Sequence, residues 1–98
     1  MNTVFANDDL DRLETDPTFS MGLPPAVVTA YRKRMQVIRN AMDTRDLRAM
    51  QSWHFEKLKG KRRDQYSMRL NRQYRLVMEL HAEADGQKVV IIAVENYH

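Results

Sequence analysis

The feature that most constrains this chain is a change, near its midpoint, in the period at which apolar residues return. From Pro25 onward Val27, Val28, Tyr31, Met35, Ile38 and Met42 recur at three- and four-residue steps, which gathers them on one side of a helix. Proline is tolerated at such a start, because the first-turn N–H has no partner inside the helix. In the second half the period drops to two. Tyr66, Met68 and Leu70 alternate with Ser67, Arg69 and Asn71, and Leu76, Met78 and Leu80 alternate with Arg75, Val77 and Glu79. Successive side chains of a strand point to opposite faces, so alternation predicts strands with one buried face and one polar face. Helices first and an antiparallel meander after them predict an α+β fold, with N-terminal helices packed on one face of a mainly antiparallel sheet of four to five strands.

The remaining elements follow from punctuation. Residues 3–5 read as a short first strand and residues 8–14 as a helix with Leu10 and Leu13 on one side, its acids suited to the positive end of the helix dipole. Asp16-Pro17 breaks that helix, and residues 21–25 form a turn. Residues 43–46 interrupt the long helix, after which 47–50 give one more helical turn. Strands are expected over 53–58, 65–70, 74–80 and 88–94, with Ala84-Asp85-Gly86-Gln87 as a hairpin turn built on its Asp-Gly pair. The run 89–94 is apolar throughout, as in a central strand covered on both sides.

Ninety-eight residues suit one domain spanning 1–98. The chain has no cysteine, which excludes a disulfide framework, a thiolate nucleophile and a cysteine-held metal. Its N-terminus does not read as a signal peptide, and the apolar run 89–94 is far too short to span a bilayer. The expectation is a soluble cytoplasmic protein without a membrane role.

Charge is unevenly spread. Residues 1–20 carry Asp8, Asp9, Asp11, Glu14 and Asp16 against Arg12 alone, whereas Lys57, Lys59, Lys61, Arg62, Arg63, Arg69, Arg72 and Arg75 crowd a later segment with Asp64 as its only acid. A polyanion is drawn to the second segment and repelled by the first. Lys61, Arg62 and Arg63 either solvate a loop or meet phosphates. Arg32, Lys33, Arg34 and Arg39 fall mostly off the apolar helix face and read as solvated surface, with contact to RNA as a secondary role. Arg69, Asn71 and Arg75 project from the sheet face away from the helices. Two guanidinium forks on adjacent strands, joined by the short Asn71-Arg72 turn, can converge on one phosphate. His54 and His81 lack metal-ligand spacing and read as strand surface and strand end, so neither a metal nor a cofactor is expected.

Leu58-Lys59-Gly60, the strand Gln65-Tyr66-Ser67-Met68-Arg69-Leu70-Asn71, the step Gln73-Tyr74-Arg75-Leu76 and the terminal Val94-Glu95-Asn96-Tyr97-His98 together resemble the HigB branch of the RelE/ParE toxin superfamily. The resemblance extends loosely to Tyr31-Arg32-Lys33 and Asp46-Leu47 and fades before Leu23. It implies a compact RelE-like fold whose concave face enters the ribosomal A site and cleaves mRNA there without a metal. It also implies a HigA-type helix-turn-helix antitoxin, through which alone operator DNA is reached.

Cleavage by 2′-hydroxyl attack needs that hydroxyl deprotonated, the phosphate neutralised and the leaving oxygen protonated. Arg69 and Arg75 match the family motif for the phosphate, and Lys59 matches its Leu-Lys-Gly lysine. His98 fits an acid or base, with Tyr97 positioning it or the phosphate. Glu56 stands where relatives often carry histidine, and Asn96 where the motif has Asp; glutamate can serve as a base, and an amide cannot accept a proton as a carboxylate does. Lys57, Lys61, Arg62, Arg63 and Arg72 are expected on RNA phosphates, with Asn71 and Asn96 nearby. Tyr74 either stacks on an unpaired base or packs between strand and helix. Two other functions fit the same residues: a catalytically weak RNA- or ribosome-binding translation inhibitor, and a gyrase-inhibiting toxin of the ParE type.

Overall fold

The computed structural model describes residues 1–62 and 64–97; Arg63 and His98 lie outside the described residues. The chain runs β1 (Asn2–Phe5), α1 (Asp8–Thr15), α2 (Pro25–Asn40), α3 (Thr44–Arg48), a 3-10 turn (Gln51–Trp53), β2 (Glu56–Lys57), a second 3-10 turn (Gly60–Arg62), β3 (Gln65–Arg69), β4 (Tyr74–Glu83) and β5 (Gly86–Asn96). The five strands form one sheet in the order β1-β5-β4-β3-β2. Neighbours are antiparallel except β1 and β5, which run parallel with Asn2 opposite Lys88. The α+β arrangement expected from the sequence is the one observed.

The Asn7 side chain accepts from the Leu10 N–H to cap α1, and Asp8, Asp9 and Asp11 fill the first turn, where negative charge meets the positive helix end. Leu10 and Leu13 are buried, each contributing about 2 kcal/mol of apolar transfer. In α2 the buried stripe is Val27, Val28, Tyr31, Met35 and Ile38. The helix stops at Asn40 with Ala41 extended, so Met42, expected on the apolar face, is 87% exposed. Tyr31 is fully buried and donates its hydroxyl to the Leu10 carbonyl at 2.7 Å, and burial pushes the phenol above its ordinary range.

Three arginines of α2 depart from the expected solvated face. Arg32 donates to the carbonyls of Leu13, in the last turn of α1, and of Asp16 and Phe19 in the loop that follows it. Arg39 grips Glu14 with two bonds of 2.7 Å, and Arg34 reaches the Arg69 carbonyl at the end of β3.

The helices cover one sheet face only, through Met68, Leu70, Leu76, Met78, Val89 and Ile91. The strand expected to be covered on both sides is central, but Val90 and Ile92 are only half-buried. The expected strand over 53–58 is reduced to Glu56–Lys57, because the preceding chain is a 3-10 turn ending at His54 in a left-handed conformation with φ 49°. Phe55 pins this short edge strand by stacking on Tyr66, with ring centroids 5.4 Å apart. In the β4–β5 hairpin Glu83 pairs with Gly86, so the two-residue loop is Ala84-Asp85, one residue earlier than an Asp-Gly turn. Gly86 has φ 133°, a value side-chain-bearing residues rarely adopt.

Candidate functional site

One inserted residue decides what the uncovered sheet face carries. Val77 pairs with Ala93 but Met78 pairs with Ile91, so Ile92 is an extra residue in β5. A bulge of this kind reverses which side chains of the following strand face the core. Before it Val89 and Ile91 point to the helices; after it Val94 does, and Ala93 and Glu95 turn to the open face.

Two rows of paired residues then cross that face. Glu56, Ser67, Val77 and Ala93 form the first, and Arg69, Arg75 and Glu95 the second. Ser67 is buried and small, with the longer side chains of Arg69, Arg75 and Tyr97 beside it. A cavity of about 220 Å³ results, lined by His54, Glu56, Ser67, Arg69, Arg75 and Tyr97.

The second row sets two like charges directly opposite each other, an unfavourable arrangement in a sheet unless a counter-charge is near. Glu95 supplies it. Its carboxylate accepts from Arg75 Nη2 at 3.1 Å and from both Arg62 terminal nitrogens at 2.9 and 2.6 Å. The Arg62 hydrogen bonds, and after them the single one from Arg75, hold the Glu95 carboxyl below the usual carboxylate range against a burial that raises it. Arg75 is fixed but not satisfied: its Nε is buried and has no hydrogen-bond partner among the described residues. A buried donor without an acceptor is rare in a folded protein and suits a site that takes an anionic oxygen.

Tyr97 closes the site. Its backbone N–H donates to the Gln73 carbonyl at 3.0 Å, and its hydroxyl donates to the Asn71 carbonyl at 3.0 Å. The same hydroxyl accepts from Arg69 Nε at 3.3 Å, and the Arg75 guanidinium lies 5.5 Å from the ring centroid. The phenol therefore holds both arginines, one by a hydrogen bond and one by a cation–π contact worth about 0.5–1 kcal/mol.

Of the residues the sequence singled out, the cavity brings together Glu56, Arg69, Arg75 and Tyr97. Lys59, Lys61 and Arg72 are exposed on the loops beside β3, outside the cavity lining. Arg62 is committed to Glu95 and to Gln65. Four others face away from the cavity or serve the fold. Lys57 pairs with Tyr66, and its ammonium lies 6.0 Å from that ring, on the helix side. Asn71 accepts from the N–H groups of Gln73 and Tyr74, both at 2.8 Å, and so builds the β3–β4 turn. Tyr74 packs against the core, the second of its two expected roles, and Asn96 is its partner across the sheet. Arg63 and His98 lie outside the described residues.

Sequence reasoning missed Ser67, Glu95 and His54. The alternation of β3 already placed Ser67 beside Arg69, so its signal was present. Glu95 was hidden by the bulge, and His54 by a left-handed residue where a strand was expected.

Comparison with known proteins agrees with this architecture. Residues 3–95 match the family model for HigB-like toxins, described as RelE-like toxins of type II toxin–antitoxin systems. A solved YoeB/ParE toxin from Agrobacterium tumefaciens is similar over 100% of both chains at 19% identity with a TM-score of 0.64, a likeness of fold. A YoeB dimer from Staphylococcus aureus aligns over 100% of this chain and 97% of its own, at 19% identity and a TM-score of 0.47. No curated protein sequence matches. Among the described residues no helix is long and apolar enough to cross a membrane.

Proposed function

The chain belongs to the HigB-like, RelE-type toxins of type II toxin–antitoxin systems, and on that premise we propose that it is an endoribonuclease that cuts mRNA in the ribosomal A site. The observation that carries this reading is Arg75, whose buried Nε lacks an acceptor among the described residues and lies beside a second arginine, a carboxylate and an imidazole. A scissile phosphate placed there receives charge from Arg69 and Arg75, with side-chain cations in the role a metal ion can otherwise take. Glu56 accepts the 2′-hydroxyl proton as the 2′-oxygen attacks phosphorus. The P–O5′ bond breaks, and a protonated imidazole returns a proton to the leaving 5′-oxygen. His54 lines the cavity and is available for that step; His98 is offered for it by the family motif. The products are a 2′,3′-cyclic phosphate and a 5′-hydroxyl. Tyr97, with its hydroxyl occupied, orients the arginines.

A type II toxin has an antitoxin partner. We assign this one to the HigA-like helix-turn-helix kind, on the strength of the HigB branch. Lys59, Lys61 and Arg72 add sequence-independent contacts to ribosome-bound RNA.

The test is purified, antitoxin-free protein added to programmed ribosomes, with mRNA ends mapped by primer extension. Cuts inside the A-site codon that vanish in Arg75→Ala are expected. Intact mRNA on ribosomes that bind the protein would overturn the nuclease and leave a binding-only inhibitor, and gyrase-dependent DNA damage with intact mRNA would move the chain to the ParE mode of action.

A further inference from the structure

Arg34 is an unusual residue for the place it occupies. It sits in α2 on the helix side of the sheet, partly buried, and burial makes its guanidinium hold its proton less tightly than an ordinary arginine. No carboxylate pairs with it among the described residues. A cation taken partly out of water without a counter-ion is costly, and apolar residues of similar volume commonly replace buried ions at no loss of stability. Stability alone therefore gives little reason for an arginine here.

Its contacts point elsewhere. Nε and Nη2 both donate to the backbone carbonyl of Arg69, at 3.2 and 3.1 Å. The same guanidinium lies over the Trp53 ring, its carbon 4.1 Å from the centroid. Arg69 ends β3 and supplies one of the site's two phosphate-facing cations. Trp53 immediately precedes His54, whose left-handed φ of 49° swings the chain into the two-residue strand that carries Glu56. One side chain thus reaches, from behind the sheet, the two segments that bring the cation and the proton-transfer groups to the cavity. Edge strand β2 has only two residues paired to β3, a weak hold on a wall that has to stay in register.

We propose that Arg34 is a positioning residue of the active site, fixing Arg69 relative to the His54–Glu56 segment by a fork on the Arg69 carbonyl and a stack on Trp53. The proposal rests on the nuclease reading above. It explains why a costly charge is kept where a methionine or leucine would pack. A planar fork with a stacking face is a property of arginine that lysine lacks.

The experiment compares Arg34→Met and Arg34→Lys with the unaltered chain on programmed ribosomes, alongside thermal unfolding. Arg34→Met is expected to keep or raise the melting temperature while lowering kcat about 100-fold, the scale of an ångström-sized misplacement of catalytic groups. The ribosome concentration for half-maximal rate should stay unchanged. Arg34→Lys, which keeps the charge and a single donor nitrogen in place of the fork, should recover part of the loss. In 1H–15N spectra of Arg34→Met, the shifts should be largest at Trp53, His54, Glu56 and Arg69. Full kcat in Arg34→Met overturns the proposal, as does a loss of rate no greater than the loss of folded protein. An unaltered chain that leaves mRNA intact removes the nuclease reading, and this role falls with it; cleavage at the full rate in Arg34→Met removes the role alone.

Discussion

Glu95→Gln separates the two jobs a charged site has to do. The carboxylate is the only negative group in the second row, and it accepts three hydrogen bonds from two arginines. The amide has the same shape, but one of its two ends is now a donor facing a guanidinium. The side chains are partly open to water, at 37% for Arg62, 26% for Arg75 and 31% for Glu95, so each ion pair is worth at most about 1 kcal/mol. Losing both should cost about 1 kcal/mol and lower the melting temperature by about 5 °C in a domain of this size. RNA affinity should move the other way. A unit charge about 6 Å from a bound phosphate is worth about 0.7 kcal/mol in water, so removing the repulsive one tightens binding roughly threefold. Cleavage nevertheless slows, because Arg75 loses the contact that aims it; a fall of up to about 100-fold is expected. Filter binding to a short unstructured RNA and single-turnover cleavage on ribosomes read the two effects separately. Weaker binding, or cleavage as fast as in the unaltered chain, would refute the reasoning. The pH dependence has a definite sign. Because the folded Glu95 is shifted downward, its stabilisation is complete above the ordinary carboxylate value of about 4.5 and is lost as pH falls through the lower folded value. Glu95→Gln should flatten that acid-side decline in stability.

Arg75→Ala should leave far-ultraviolet circular dichroism unchanged and reduce cleavage by about 100- to 1,000-fold, as expected when one preorganised charge is withdrawn from a developing anion. His54→Asn keeps a residue at ease with the left-handed backbone; a rate loss of at least about 100-fold assigns the imidazole to proton transfer, while a fully active variant leaves that step to His98. Tyr31→Phe removes the buried bond to the Leu10 carbonyl and should cost about 1 kcal/mol in urea unfolding, with cleavage unchanged at 25 °C. Lys61→Ala and Arg72→Ala should each reduce the slope of log affinity against log salt by about 0.7 on single-stranded RNA.

Much of this architecture is legible in the sequence. Periodicity gave α2 and its buried face, alternation gave β3 and β4, and together they placed Arg69 and Arg75 on one open face. What escaped lies where a single residue changes the rule. Ile92 interrupts an apolar run that carries no sign of a bulge, yet it decides that Glu95 faces the arginines. His54 adopts a conformation that no flanking glycine or proline announces. The arginines of α2 look like surface by spacing, and only tertiary contact shows them gripping carbonyls and a carboxylate. Asn71 and Tyr74, suited by chemistry to RNA, are taken up by the turn and the core.

The parallel pairing of β1 with β5 joins the first strand made to the last. While the chain is being synthesised, residues 2–5 have no sheet to join until residues 88–91 have emerged. Until then the helices also lack Val89 and Ile91, two fully buried members of their core. Contacts so distant in sequence close late, after local helices and hairpins have formed. A chain truncated before Gly86 should therefore exchange its amide hydrogens as a largely unprotected polymer. The wall carrying Glu95 and Tyr97 arrives in the same event, so stability and reactivity appear together rather than in stages.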